Sequence, residues 1–408
     1  MTHQTNSPNS GFKGLGIAPN MIQALDRMKF HIPTPIQYQA IPIAIEGKDV
    51  LGIAQTGTGK TAAFGIPMIQ RLAQTKGRGL VLVPTRELAI QVDEVIQKLG
   101  RSFNMRSIVL IGGSSMYNQI QNLRKNPRII IATPGRLIDH LNQKNLNLTQ
   151  VDILVLDEAD RMLDMGFQPQ IENILRYVPK ERQTMLFSAT MPQEIVKITS
   201  RHMKLPVSVE IAPSGTAAQR VSQEVYIVHQ EAKKDLLQKL LNQYHGTVLI
   251  FSRTKNGTRK VTKMIRAMGH NAAEIHSDRS LGQRREALDG FKSGRYRILV
   301  ATDIAARGID VVGIQLVINY DLPDDSENYV HRIGRTGRAG HEGHAISFAT
   351  PDQKHDLHSI EKLIRTVIPI AEHPEVPAAR FHEAAAKFTL RFAPGRGRRQ
   401  IRHRRPHR

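Results

Sequence analysis

The chain has no cysteine and no tryptophan in its 408 residues, and aromatic residues make up only 5% of it. Without cysteine there can be no disulfide and no thiolate-bound metal, which fits a reducing, cytoplasmic setting. No apolar run reaches the roughly 20 residues that a membrane-spanning helix needs. The amino terminus also lacks the basic-then-apolar pattern of a secretory signal. Acidic residues are scarce: 36 Asp and Glu stand against 57 Lys and Arg, for a net charge of +21. Residues 391–408 alone hold eight arginines and no acid. An excess of this size points to a polyanionic partner, with nucleic acid ahead of anionic lipid.

What is present is enough for ordinary cores. Hydrophobic residues reach 40%, and the length exceeds one core, so two domains of roughly 150–200 residues are expected. Residues 1–11 are polar and rich in Ser, Asn and Pro, and are expected to be disordered. Over 12–207, short β-rich runs at 80–83, 107–111, 129–132, 153–156 and 184–187 alternate with helical patterns. That alternation predicts βαβ units around a parallel sheet. Residues 208–220 have linker composition. A second alternating series, with strands at 224–228, 247–251, 272–276, 297–301, 314–319 and 345–348, marks a second α/β domain over 221–371. The remainder, 372–408, is expected to be a disordered basic tail.

Two motifs carry chemistry in the first domain. Ala54-Gln55-Thr56-Gly57-Thr58-Gly59-Lys60-Thr61 follows the apolar run 49–54 and reads as a phosphate-binding loop. Gly57 and Gly59 let the backbone turn its N–H groups toward phosphate oxygens. Lys60 supplies a point charge, the Thr61 hydroxyl suits magnesium, and the helix expected next adds its positive end. Ala54 stands where the strict pattern has glycine. Asp157-Glu158-Ala159-Asp160 follows the run Ile153, Leu154, Val155, Leu156, which is apolar on both faces and so belongs to a covered strand. At the carboxyl end of such a strand, Asp157 is placed to hold magnesium, and Glu158 to orient or deprotonate an attacking water. Together the motifs predict hydrolysis of a nucleoside triphosphate.

The second domain offers arginines instead of a phosphate loop. Thr302-Asp303 and Arg307-Gly308-Ile309-Asp310 follow one strand, and His331-Arg332-Ile333-Gly334-Arg335-Thr336-Gly337-Arg338 comes soon after. Guanidinium groups present a permanently charged fork to phosphate oxygens. Delivered across a domain boundary, such a group accelerates phosphoryl transfer by roughly 10³–10⁵.

In this order the motifs resemble those of the DEAD-box RNA helicases, from Phe12 to about Ile370. Pro33-Thr34-Pro35-Ile36-Gln37, with Phe12 upstream, resembles the Q motif. Pro84-Thr85-Arg86-Glu87-Leu88-Ala89, Gly112-Gly113, Thr133-Pro134-Gly135-Arg136, Ser188-Ala189-Thr190 and Ile250-Phe251-Ser252 match in sequence order. The end of the core and the basic extension are most similar to the bacterial RhlE-type group, typified by helicase E. The resemblance implies two tandem RecA-like domains, joined by a flexible linker, with ATP and Mg2+ as cofactors and RNA as partner. It implies that Phe30 stacks on adenine and Gln37 reads its edge. It implies that residues 54–61, Gly308 and Asp310 bind nucleotide, and that Arg335 and Arg338 reach the γ-phosphate. Ser188, Thr190 and Asp160 are expected to couple the site to domain closure. Thr85, Arg86, Gly113, Thr133 and Arg136 are expected to hold RNA backbone in the first domain, and Arg284 and Thr302 in the second. Three positions depart from the family pattern. Lys29 and Ser277 stand where glycine is usual, and Leu281 stands where glutamine is usual. A non-enzymatic ATP-gated RNA clamp and a DNA translocase on the same scaffold are the rival readings. Ribosome assembly and RNA decay are possible settings, and the oligomeric state is open.

Overall fold

The computed structural model describes residues 11–55, 57–211, 221–306, 311, 313–337 and 343–381. Helices α1 (Pro19–Arg27) and α2 (Pro35–Ile45) each begin on a proline, a position whose N–H has no intrahelical acceptor to lose. The first sheet contains β1 (Val50–Ile53), β2 (Arg78–Leu82), β3 (Ser107–Leu110), β4 (Ile129–Ala132), β5 (Val151–Leu156), β6 (Gln183–Ser188) and β7 (Val207–Glu210). They lie in the order β3-β4-β2-β5-β6-β1-β7, and every pairing is parallel. Helices α3 (Lys60–Leu72), α4 (Arg86–Gly100), α5 (Met116–Leu123), α6 (Pro134–Asn142), α7 (Ala159–Asp164), α8 (Gln168–Tyr177) and α9 (Gln193–His202) connect the strands.

Side chains alternate between the two faces of a strand, and both faces are covered here. In β5, Ile153 and Val155 enter one apolar core while Leu154 and Leu156 enter the other. This explains why the run reads as continuously apolar.

The second sheet contains β8 (Val221–Ile227), β9 (Val248–Phe251), β10 (Ala272–Ile275), β11 (Ile298–Ala301), β12 (Leu316–Asn319), β13 (Gly343–Ala349) and β14 (Ile370–Ala371). Its order, β10-β11-β9-β12-β13-β8-β14, repeats the wiring of the first sheet strand for strand. Helices α10 (Lys233–Gln243), α11 (Lys255–Ala267), α12 (Leu281–Lys292), α13 (Asp303–Ala306), α14 (Ser326–Ile333) and α15 (Lys354–Ile364) complete it. Strand β8 occupies the place of β1, but the chain after it runs Val228-His229-Gln230-Glu231 without a glycine or a phosphate loop.

Two edge strands lie outside the runs expected from sequence. β7 alternates between inward valines and exposed residues, and β14 spans only two. The joint expected at 208 therefore opens inside β7, which pairs with β1 from Val207 to Glu210. Residues 372–381 precede the undescribed part of the basic tail and pack on the second domain. Val376 is buried there, and Ala379 N donates to Ile227 O at 2.8 Å. The first ten residues, linker positions 212–220 and tail positions 382–408 lie outside the described residues. No described helix is long and apolar enough to cross a membrane.

Candidate functional site

Parallel strands present all their carboxyl ends at one edge, where ligands bind. In the first sheet β6 separates β1 from β5, with Ile53 beside Ser188 and Leu156 beside Leu186. The phosphate loop, Ser188-Ala189-Thr190 and the carboxylates therefore emerge side by side. Gly57 and Gly59 have φ of 83° and 87°, where a side chain is strained. A Cβ on Gly59 would collide with the Gln37 amide. Ala54 has no positive φ, so its methyl group is tolerated in the glycine position. Lys60 is 6% exposed, and its Nζ donates to Ala54 O at 2.9 Å. Thr58 Oγ1 donates to Gln55 O at 2.7 Å. Thr61 lies in the first turn of α3. The buried Gln37 accepts from Thr34 N and donates to Gly59 O, both at 3.0 Å. One lone pair and one N–H of its amide remain for a base edge. Phe30, seven residues earlier, is 38% exposed.

The three carboxylates differ sharply. Burial pushes the Asp157 carboxyl up to about 7, with Lys60 pulling against it. Its carboxylate accepts a hydrogen bond from Glu158 N at 3.0 Å. Burial also acts on Glu158, but Arg161, Lys60 and Arg335 outweigh it and hold that carboxyl down to about 2. Glu158 has a left-handed backbone, φ 53°, and accepts from Arg161 at 2.6 Å. Asp160 accepts from Ala189 N (2.9 Å), Thr190 N (2.8 Å) and Thr190 Oγ1 (3.0 Å), while its own N donates to Ser188 Oγ. The end of β6 is thus pinned to the start of α7.

The second domain closes over this edge. His331 lies against Asp160 and Arg161; burial, Arg161 and Arg335 hold its imidazole neutral, down to about 3. Arg335 is 3% exposed and acts on Glu158 from across the boundary. Arg161, Asp303, Asn328, His331, Arg332 and Arg335 line one narrow interdomain cavity with Phe251. Arg332 is held by Asp303 through a two-pronged pair at 2.5 and 2.7 Å and by Asp321 O at 2.6 Å. This fixes α14 and the face it presents.

A second site lies at the β3-β4-β2 half of the same edge. Thr85, Arg86, Gly112, Thr133, Arg136 and Arg284 line one open groove of about 370 Å³. The Arg86 guanidinium packs close to the glycine pair, and a Cβ on Gly113 would collide with it. Arg136 Nη1 donates to Ser114 O at 3.1 Å. Thr302 follows β11 on the second sheet, with its N bonded to Ile275 O, and is not among the groove-lining residues. Thr56, Gly308, Asp310 and Arg338 lie outside the described residues.

Sequence reasoning missed Arg161 and named Asp303 and Glu87 only as members of their motifs, without a role. Arg161 sits one turn after Glu158 on α7, a spacing that could have been noticed. Asp303 and Glu87 acquire partners only through the fold.

Known families match this geometry. Residues 34–198 fit the DEAD/DEAH box helicase model, and residues 232–340 the helicase conserved C-terminal domain. The ATP-dependent RNA helicase CshA of Listeria monocytogenes is 46% identical over 354 residues, spanning 86% of this chain and 68% of that protein. The ATP-dependent rRNA helicase RRP3 of Scheffersomyces stipitis is 44% identical over 374 residues, 91% of this chain and 77% of that one. Among solved structures, Dbp5 of S. cerevisiae bound to RNA and ADP BeF3 superposes with a TM-score of 0.80 at 32% identity, covering 88% of this chain and 95% of that one. The chain belongs to the DEAD-box ATP-dependent RNA helicases, and hydrolyses ATP.

Proposed function

We propose that ATP is hydrolysed in the cleft between the two domains and that closing this cleft bends RNA bound in the neighbouring groove. One observation supports this most: His331 and Arg335 of the second domain line one narrow cavity with Arg161 of the first, the residue that pairs with Glu158 at 2.6 Å. Residues 54–61 cradle the phosphates, Lys60 neutralises them, and Gln37 and Phe30 select adenine. Gly308, Asp310 and Arg338 complete the nucleotide contacts. Glu158, held ionised by its arginine neighbours, orients the water rather than storing its proton, since a carboxyl this acidic is a weak base. Asp160, Ser188 and Thr190 pass closure on.

The residues fit a magnesium ion. Asp157 is a buried carboxylate with Lys60 as its nearby cation. The described residues hold no group of three or more metal-binding His, Asp or Glu side chains. Mg2+ needs only one or two carboxylates when phosphates supply further oxygens. Asp157 and Thr61 would hold it, and it would neutralise charge on the transferring phosphoryl group.

RNA lies along Thr85, Arg86, Gly113, Thr133 and Arg136, with Arg284 and Thr302 on the second domain. Contacts to phosphate and sugar carry little sequence preference. A backbone bent in the groove leaves A-form geometry, so a short duplex opens locally. The setting is cytoplasmic, in ribosome assembly or RNA decay. Grouping with the RhlE-type helicases rests on the end of the core and the basic extension alone; the relatives reported above are of the CshA and RRP3 kinds.

The test is Arg335→Ala. Its kcat falls roughly 10³-fold or more, while ATP affinity measured without RNA stays within about twofold. Unchanged RNA-stimulated turnover would remove Arg335 from the site.

A further inference from the structure

Helix α12 meets the first domain through two residues one turn apart. Its start is fixed by a capping box: Ser280 Oγ accepts from Gln283 N at 3.2 Å, and Gln283 Oε1 accepts from Ser280 N at 3.0 Å. Leu281 is the first helical residue, and Arg284 follows on the same face. Leu281 is half-buried and packs against the apolar core of the first domain, the core that contains Leu88, Ala89 and Ile111. Arg284 Nη2 lies 2.9 Å from Glu87 Oε2 in the first turn of α4. Glu87 thus sits between the groove residue Arg86 and the core residue Leu88.

The two contacts are not equivalent. Glu87 is 5% exposed. Among the described residues its carboxylate accepts no hydrogen bond and has one ion-pair partner, Arg284. In the separated domains both charges regain water. Burying such a pair gives little or nothing back once desolvation is counted. Burying apolar surface gives a net gain. Leu281 is also absent from the groove lining, so changing it leaves the groove surface as it is.

We propose that Leu281 is a positioning residue that fastens the second-domain wall of the RNA groove to the first domain. Its apolar contact, rather than the Glu87–Arg284 pair, sets how readily the groove closes over RNA. The polar pair fixes the register of α12 on α4 and keeps Arg284 at the groove wall. The departure from glutamine at this position therefore serves domain docking and not direct contact with RNA. This inference rests on the reading of the groove as the RNA site.

The experiment uses the full chain, a single-stranded RNA oligonucleotide as probe, and three variants: Leu281→Gln, Leu281→Met and Arg86→Ala. RNA-stimulated ATP turnover is followed against RNA concentration, with thermal unfolding alongside. Leu281→Gln is expected to raise the half-saturating RNA concentration about tenfold. Its kcat at saturating RNA stays within about twofold of the parent, and its unfolding midpoint is unchanged. Leu281→Met keeps the parental RNA dependence. The proposal is overturned if Leu281→Gln shows the parental half-saturation, if Leu281→Met is equally impaired, or if Leu281→Gln melts earlier. Early melting would place Leu281 in the second domain's own core. Arg86→Ala separates the two layers. An unchanged half-saturation there overturns the groove reading and the proposal with it. Weakening in Arg86→Ala with a parental Leu281→Gln overturns the fastening role alone.

Discussion

Lys29 has a backbone φ of 60°, a left-handed conformation that suits glycine. It follows the last turn of α1. Lys29 N donates to Asp26 O and Phe30 N to Leu25 O, both at 2.9 Å, which is the paired closure of a helix end. The family's usual glycine therefore has a local cause, and this chain accepts strain there. Lys29→Gly is expected to stabilise the protein by about 0.5–1 kcal/mol, read as a higher denaturant midpoint. A midpoint at or below the parent's would contradict the strain. At this scale the sequence was most legible where chemistry forces the residue type. Gly57, Gly59, Lys60, Asp157 and Glu158 could be placed because a phosphate loop and a strand end constrain them. Arg161 and Glu87 could not, because their value depends on a partner the fold brings near. Arg161 neutralises Glu158 inside the protein, and Glu87 meets Arg284 from another domain.

Between elements, the decisive link is β6 to α7. Asp160 gathers three donors from Ala189 and Thr190, so a shift of either element is felt by the other. Thr190→Val removes one of these bonds at nearly constant shape. A hydrogen bond to a charged acceptor is worth about 1.5–3 kcal/mol, so duplexes opened per ATP hydrolysed should fall about tenfold or more. ATP binding should be unaffected. Equal losses in binding and unwinding would show that the bond serves the nucleotide pocket instead. Central strands were legible because each is buried on both faces and reads as an apolar run. Edge strands β7 and β14 were not. β7 alternates apolar and polar over only four residues, and β14 pairs over only two, so neither signal is long enough to stand out.

At the scale of the molecule, two sheets with the same wiring divide the labour. Only the first has a phosphate loop; the second supplies the arginines and histidine that face it. Net charge and alternation of elements announced two domains and a polyanion, but not how the domains would meet. The meeting depends on neighbours such as Arg161 and Arg335 in the interdomain cavity and on the Glu87–Arg284 pair, which no local pattern encodes. We propose that the arginines of residues 391–408 act as an RNA tether. Deleting them should raise the half-saturating RNA concentration, most at low salt, and leave kcat at saturating RNA unchanged. An unchanged half-saturation at low salt would point to another partner for the tail. In the proposed cycle, ATP and RNA together bring the second domain onto the DEAD box. The absence of native cysteine permits a direct measurement, because Asn118→Cys on α5 and Lys260→Cys on α11 give one dye site in each domain. Energy transfer between the dyes should shift to a single new population only when a non-hydrolysable ATP analogue and single-stranded RNA are both present. The same distribution with neither, either or both ligands would contradict the account.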